Sequence, residues 1–278
     1  MTDSPADALR QQAREWGESL LAAPPWDSVA DRVTLLLVDP PAGLDDAPMP
    51  SSVGMWLTID APSARSLPNE YRTPLTSDQP LHERHRATAT APAVALSILT
   101  DDGLHRLLQG LSTASIEARW QARHAEVVSD RLRRADQFSL RAGMLPAEAP
   151  ERVLRTAWLD LVTAARGLDV APDAPAAALA ALGEVTASVC RIACALEGGV
   201  YPPVAYLRAA ARETRVGRRL NAWLDDFAPA AGGDEAAIRR VLGSRDQAIE
   251  EVRAVIAEPF RDRPWLRTPE AFTLRAPR

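Results

Sequence analysis

The sequence predicts an α+β fold with a small mixed sheet in its first half and helices in its second half. Three apolar runs of strand length lie within the first hundred residues. From Pro146 onward, apolar residues recur at helical spacing almost throughout. Strands followed by a run of helices are the α+β order of elements, and 278 residues are enough for two domains. We therefore predict a mixed-sheet domain over 1–145 and a helical bundle over 146–278.

The first half begins with a helix and two strands. Ala6–Ala23 has an amphipathic pattern, and Pro24-Pro25 ends it. Val33–Val38 and Val53–Ile59 are apolar runs that predict strands. A Pro/Gly-rich turn that contains Asp45-Asp46 joins them, and its carboxylates fit a solvated turn or a helix cap.

The rest of the first half gives weaker signals. Ala61–Pro80 is rich in Pro, Ser and Thr, and we interpret it as a loop over the surface or over a cleft. Ala93–Leu99 predicts a third strand and Leu104–Leu111 a short helix. Val127–Val128 either lies at the end of a longer polar helix or begins a small edge strand.

The second half is punctuated by Pro and Gly, which predict where its helices end. Its tail, Pro259–Arg278, is predicted to be irregular and anchored by Phe260, Trp265 and Phe272. The predicted helices are Ala149–Leu168, Ala174–Leu196, Tyr201–Glu213, Arg218–Phe227 and Asp234–Glu258.

Composition excludes several classes of function. The net charge is −5 without long runs of like charge, so nucleic acid is not an expected partner. All 32 cationic side chains are Arg, which removes a Schiff-base lysine and a P-loop lysine from consideration. Cys190 and Cys194 lie one helical turn apart, which is poor disulfide geometry and indicates free buried thiols. The polar N-terminus and the lack of a long uncharged apolar window predict a cytoplasmic protein without a membrane partner.

The stretch Val33–Asp60 resembles the nucleotidyltransferase superfamily, in particular its aminoglycoside-nucleotidyltransferase-like branch. In that family the first strand ends in Gly-Ser, a Gly follows, and an Asp-x-Asp pair begins the next strand. Here the Gly-Ser position is Val38-Asp39, the later Gly is Gly43, and the carboxylate pair is missing. Glu117–Phe138 is similar to the family's connection between the two domains. Gly198–Phe227 is similar to the Tyr-x-Pro region of the family's helical domain, with Ala205 in place of Lys. The residues that match in kind are Tyr201, Pro203, Tyr206 and Leu207.

The departures from the family pattern argue against metal-dependent transfer. Nucleotidyl transfer needs divalent cations held by carboxylates at alternate strand positions and on a neighbouring strand. The strand Ala93–Leu99 contains no carboxylate, and Asp39 stands at the phosphate-binding Ser position, where it would repel a triphosphate. Alternation predicts a core face of Val53, Met55, Leu57 and Ile59 and an open face of Ser52, Gly54, Trp56, Thr58 and Asp60. We therefore predict no metal site and no cofactor.

The candidate site residues follow from this layout. His82 and His85 form either a surface pair or, because they lead into the third strand, acid–base groups of the pocket. The candidate catalytic residues are Asp39, His82, His85 and Tyr201. The candidate pocket residues are Ser52, Gly54, Trp56, Asp60, Arg166 and Tyr206, with Arg166 and the tyrosines at the inter-domain cleft where the family binds its acceptor.

Three functional hypotheses remain open. The first is a repurposed, metal-independent enzyme of bacterial specialised metabolism that binds a small molecule in the inter-domain cleft, as a monomer or homodimer. The second is a non-catalytic binding or regulatory protein that keeps only the fold. The third is an active nucleotidyltransferase with metal ligands relocated among Asp39, Asp45, Asp46 and Asp60.

Overall fold

The computed structural model describes residues 5–39, 41, 44, 50–89, 91–170 and 175–269. The chain divides into two compact units, Met1–Met144 and Leu145–Arg278. The first unit contains a five-stranded mixed sheet and the second is helical. The predicted α+β class is confirmed: a small mixed sheet is followed by a helical region.

Within the described residues, the first unit has six α-helices and five strands. In chain order they are α1 (Pro5–Leu21), β1 (Val33–Asp39), β2 (Val53–Ile59), α2 (Ala61–Ala64), α3 (Asn69–Thr76), β3 (Leu81–His85), β4 (Val94–Thr100), α4 (Asp101–Gln109), α5 (Thr113–His124), β5 (Glu126–Asp130) and α6 (Arg134–Gly143).

The sheet has the strand order β3-β4-β2-β1-β5. Strands β2 and β4 are parallel, and the other neighbouring strands are antiparallel. A register shift between Leu37 and Asp39 makes Asp39, rather than Val38, the partner of Gly54. Such a bulge turns the bulged strand locally, and here it places the last residue of β1 opposite the start of β2.

Both faces of the sheet carry a hydrophobic core. One core packs Val53, Met55, Leu57 and Ile59 against side chains of α1, α2 and α3, which confirms the predicted core face of β2. The other core joins Leu36, Val38 and Trp56 to α4, α5 and α6. The expectation that this second face is open is therefore wrong for Trp56 and Thr58, which are 8% and 0% exposed.

Several predicted elements need correction. The predicted loop Ala61–Pro80 contains α2 and α3, because the Asp60 carboxylate accepts from the Ser63 amide at 2.7 Å and caps α2. Strand β3 carried no sequence signal, because its sequence Leu-His-Glu-Arg-His is polar and it lies at an edge of the sheet. Helix α6 was not predicted either. Val127–Val128 lies in β5, so the edge-strand alternative is confirmed.

The second unit is helical in its described residues, as predicted. The predicted helix Asp234–Glu258 is in fact two helices, because the first ends at Gly243. The tail contains a short helix that the sequence did not suggest, and Phe272 lies outside the described residues. The helices are α7 (Ala149–Val170), α8 (Pro175–Gly198), α9 (Val204–Glu213), α10 (Arg215–Arg219), α11 (Asn221–Ala231), α12 (Glu235–Gly243), α13 (Arg245–Phe260) and α14 (Pro264–Arg267).

One helical stretch among the described residues, Leu179–Gly198, is long and apolar enough to cross a membrane by length and composition alone. Of its apolar window, 56% is buried in the structure. The stretch includes Glu184 and Arg191, so it is not the uncharged run that the sequence criterion required. Core helices of soluble proteins have the same properties.

Arg134 joins two strand ends of the first unit. Its guanidinium contacts Asp60, after β2, at 2.9 Å and Asp101, after β4, at 2.7 Å. Burial disfavours ionisation of Asp60, but hydrogen bonds from Ser63 and Arg134 together with the Arg134 charge hold its pKa below the usual value. Burial raises the pKa of Asp101, against the opposing charge of Arg134. Arg134 therefore stabilises two carboxylates that are largely removed from water.

Replacing Arg134 with Ala should destabilise the first unit. Removing one partner of a largely buried ion pair leaves uncompensated carboxylates, and we expect a loss of roughly 2 kcal/mol in the free energy of unfolding. Urea denaturation at pH 7 measures this change. Arg131→Ala, at an exposed position just before α6, is the matched control and should change stability by less than about 0.5 kcal/mol. Equal effects of the two substitutions would contradict the assigned role of Arg134.

Candidate functional site

The candidate site lies where β1 ends beside the start of β2. The register pairs Asp39 with Gly54. A Cβ atom added to Gly54 would lie 2.7 Å from Asp39 Oδ2 and 2.9 Å from Asp39 Cβ, which is closer than real contacts allow. The Asp39 carboxylate thus occupies the space that glycine leaves free. Gly54, proposed as a pocket residue, is in direct contact with the candidate catalytic residue Asp39.

Helix α5 holds the other side of this carboxylate. Gln121 Nε2 donates a hydrogen bond to Asp39 Oδ2 at 3.2 Å. Asp39 Oδ1 is buried and accepts no hydrogen bond within the described part of the chain. Burial raises the pKa of Asp39 to about 6, although the hydrogen bond from Gln121 lowers it in part. A carboxyl group with this pKa exchanges a proton near neutral pH.

Small side chains continue the same sheet face away from Asp39. In the parallel pairing, Gly54 lies opposite Ala95 and Trp56 lies opposite Ser97. Two strand spacings separate Asp39 from Ala95, which amounts to about 10 Å between their Cα atoms. Gly54, Ala95 and Ser97 are half-buried, whereas Trp56 is part of the helix-covered core. This half of the face is therefore shallow and only partly covered.

The two candidate histidines of β3 point to opposite faces of the sheet. His82 is exposed, pairs with Ser97, and has its Nδ1 atom 3.0 Å from Ser97 Oγ. Since paired residues share a face, His82 lies on the face of Gly54 and Asp39. His85 lies on the other face, where its ring packs on Trp16 at 5.0 Å between centroids. The structure thus brings His82, but not His85, to the candidate site.

The remaining pocket candidates of the first unit separate into two places. Ser52 directly precedes β2, beside Gly54, and is half-buried. Asp60 follows the other end of the same strand, about 20 Å away for seven residues in extended conformation. There it caps α2 and binds Arg134. Asp60 therefore lies apart from Asp39, at the other end of the strand, and its pocket role stays a prediction.

Three candidates belong to the second unit. Tyr201 and Tyr206 are buried, and Arg166 is half-buried. The Arg191 guanidinium lies over the Tyr201 ring, 5.8 Å from its centroid. The catalytic role of Tyr201 and the pocket roles of Arg166 and Tyr206 stay predictions.

The donor set for a metal ion is limited in the described residues. No group of three or more His, Cys, Asp or Glu side chains there is arranged to hold a metal ion. Asp60 is engaged by Arg134, and Asp39 lacks a carboxylate neighbour on its strand pair. Gly43, Asp45 and Asp46, which the resemblance and the third hypothesis involve, lie outside the described residues.

Gln121 and Ser97 are site residues that the sequence interpretation missed. Ser97 is the one polar residue within the apolar run Ala93–Leu99, a signal that could have identified it. Gln121 lies on a helix that the sequence did not delimit, and nothing in its neighbourhood marks it as a partner of Asp39. Only the packing of α5 on β1 brings the two side chains together.

Comparisons with known proteins find similarity among solved structures. No protein-family model matches the chain. A comparison with curated proteins also finds no match. The chain is similar to a nucleotidyltransferase-like protein from Exiguobacterium sibiricum 255-15, with 15% identity and a TM-score of 0.38 over 91% of this chain and 80% of that chain. At this identity and TM-score the likeness assigns neither an activity nor site residues to this chain.

The raised pKa of Asp39 predicts a pH-dependent cost to folding. Its pKa is about 6 in the folded chain and near 4 when unfolded, so the folded state holds the extra proton between these values. Stability from this group is present below pH 4 and is lost as the pH rises through 6. Asp39→Asn removes the ionisation, so the wild type should lose roughly 3 kcal/mol relative to this variant between pH 4 and pH 7.

Chemical denaturation of both proteins at a series of pH values measures this difference. Asp136→Asn, which changes an exposed carboxylate on α6, is the control and should show no comparable divergence. A constant stability difference between wild type and Asp39→Asn from pH 4 to pH 8 would show that Asp39 has an ordinary pKa.

Proposed function

We propose that the first unit binds a small molecule beside Asp39, at the end of the β1–β2 pair, and that Asp39 acts on it as a metal-independent acid–base group. The observation that carries this proposal is the state of the Asp39 carboxylate. One of its oxygens is held by Gln121, the other is buried without a hydrogen bond in the described part of the chain, and its pKa is about 6.

A buried carboxylate that receives too few hydrogen bonds is stabilised when a bound ligand donates one to it. An ionised carboxylate that has lost water is destabilised unless hydrogen bonds or a cation replace it. A ligand that displaces the groups covering Oδ1 and brings an N–H, O–H or cationic group to it would supply this partner. Strongly shifted carboxyl groups cluster at functional sites, and a pKa near the working pH suits a group that both accepts and returns a proton.

The surroundings of Asp39 support a small ligand rather than a polymer. Gly54 and Ala95 have little or no side chain, so few atoms project from the sheet face between Asp39 and β3. At its far side, His82 and Ser97 form a hydrogen-bonded pair on the same face. These two groups give a ligand a second polar contact, in which the His82 ring nitrogen donates or accepts according to its tautomer.

The wider setting of this activity is part of the same proposal. A metal-independent enzyme of bacterial specialised metabolism, acting on a small molecule in the cytoplasm, fits the missing carboxylate pair at Ser52 and Gly54. The alternative is a non-catalytic binding or regulatory protein in which Asp39 only holds the ligand. An active nucleotidyltransferase would need Asp45 or Asp46 as a metal ligand beside Asp39.

Thermal shift with a panel of small metabolites, carried out in EDTA, tests the proposal. We expect at least one compound to stabilise the wild type by several degrees and to lose this effect in Asp39→Asn and Gly54→Ala. Gly54→Ala acts because its Cβ would displace the Asp39 carboxylate. Gly143→Ala, whose added Cβ meets no atom within 4 Å, is the matched control and should retain the shift.

Two further arms of this experiment separate the hypotheses. Stabilisation only by a nucleoside triphosphate with magnesium would overturn the metal-independent proposal in favour of nucleotidyl transfer. Compounds that bind in EDTA are then incubated with the protein and followed by mass spectrometry. Turnover that Asp39→Asn abolishes supports the acid–base role, and binding without any turnover supports the non-catalytic alternative.

A further inference from the structure

The second unit contains a concave pocket of about 420 Å³ among α11, α12 and α13. This volume falls within the range of sites for small molecules. Leu220, Trp223 and Ala248 contribute to its lining and are otherwise buried, so the floor is apolar. The Trp223 indole N–H donates to the Val241 carbonyl at 3.2 Å, which fixes the ring. We refer to this cavity as the α11–α13 pocket.

The wall of the α11–α13 pocket has an excess of available positive charge. Arg240 is paired with Asp226 through contacts of 3.0 Å and 2.7 Å, so these two charges offset each other. Arg239 has one ion pair, to Glu235 at 3.9 Å. Both side chains are more than 75% exposed, so this pair neutralises little of the Arg239 charge. Arg219 makes no ion pair or hydrogen bond within the described residues.

Acidic groups on the wall offset this charge only in part. Apart from Asp226, the carboxylate that lines the pocket is Glu251, whose Oε1 accepts a hydrogen bond from Gln247 at 3.4 Å. With the Arg240–Asp226 pair set aside, the wall carries two arginines, Arg219 and Arg239, and one carboxylate, Glu251. Glu251 has no cationic partner in the described part of the unit.

We infer that the α11–α13 pocket binds a small organic anion with an apolar body, such as an aryl carboxylate. The ring would lie on Leu220, Trp223 and Ala248, and the carboxylate would be directed toward Arg219 and Arg239. Arginine suits this partner because its planar guanidinium matches a carboxylate in two parallel hydrogen bonds. The site lies within the second unit and does not depend on the function proposed for Asp39.

Fluorine NMR with 4-fluorophenylacetate tests this site on the full chain. We expect concentration-dependent line broadening with a Kd of about 1 mM, which is ordinary for a ligand of this size. Arg219→Ala should weaken binding at least fivefold, whereas Arg253→Ala, at an exposed arginine of α13 outside the pocket, should leave it unchanged.

A blocking variant tests the location independently of charge. Ala222 is exposed and lines the pocket, so Ala222→Trp should fill it and abolish binding without disturbing the core. Ala254→Trp, at an exposed position of α13 outside the pocket, is its control and should bind normally. Circular dichroism and melting temperature confirm that each variant is folded.

Three outcomes would overturn the inference. They are absence of binding to the wild type, equal binding to Ala222→Trp and the wild type, and equal binding of the neutral analogue 4-fluorobenzyl alcohol. Binding of 4-fluorophenylacetate that persists in Asp39→Asn and is lost in Ala222→Trp supports it. The same pair of variants also separates failure of this site from failure of the site beside Asp39.

Discussion

Burial of both faces of the β1–β2 pair is the constraint on which the rest of the first unit depends. Helix α1 and the segment over α2 and α3 cover one face, and α4, α5 and α6 cover the other. Polar groups of these strands must then find partners inside the fold, since burial without hydrogen bonds is unfavourable. Thr34 of β1 donates to Asp130, which also accepts from two amides of α6. Arg134 pairs with Asp60, after β2, and with one oxygen of Asp101, after β4.

Asp39 differs from Asp60 and Asp101 because no cationic side chain pairs with it in the described part of the chain, and its other contact is the neutral amide of Gln121. The bulge in β1 turns its carboxylate into the space above Gly54, and α5 then shields it from water. Gln121 offers one neutral donor, which is less than a buried carboxylate requires. Arg134 shows that the chain can supply a guanidinium where a carboxylate serves only stability. No guanidinium contacts Asp39 in the described part of the chain, and the role proposed for Asp39 rests on this difference.

The sequence patterns predicted those features of the fold that neighbouring residues determine. The strands Val33–Val38 and Val53–Ile59 and the helical character of the second half follow from hydrophobic periodicity, and the core face of β2 follows from alternation. Strand β3 was missed because an edge strand needs no apolar alternation. The burial of Trp56 was missed because it depends on tertiary packing of α4, α5 and α6, and α5 contributes only the small residues Ala118 and Ala122 to this core. The contacts of Asp39 with Gln121 and of His82 with Ser97 join residues that are distant in the sequence, so sequence spacing does not predict them.

The most direct test of the account is the titration of the Asp39 carboxyl group itself. Carbon-13 NMR of protein labelled at the aspartate carboxyl carbon, with the Asp39 signal assigned by its loss in Asp39→Asn, gives its midpoint. The account predicts a midpoint at a pH of about 6 in the free protein. It also predicts that a compound bound beside Asp39 shifts this midpoint. A midpoint near 4, where exposed aspartates titrate, would contradict the claim that Asp39 is a desolvated acid–base group.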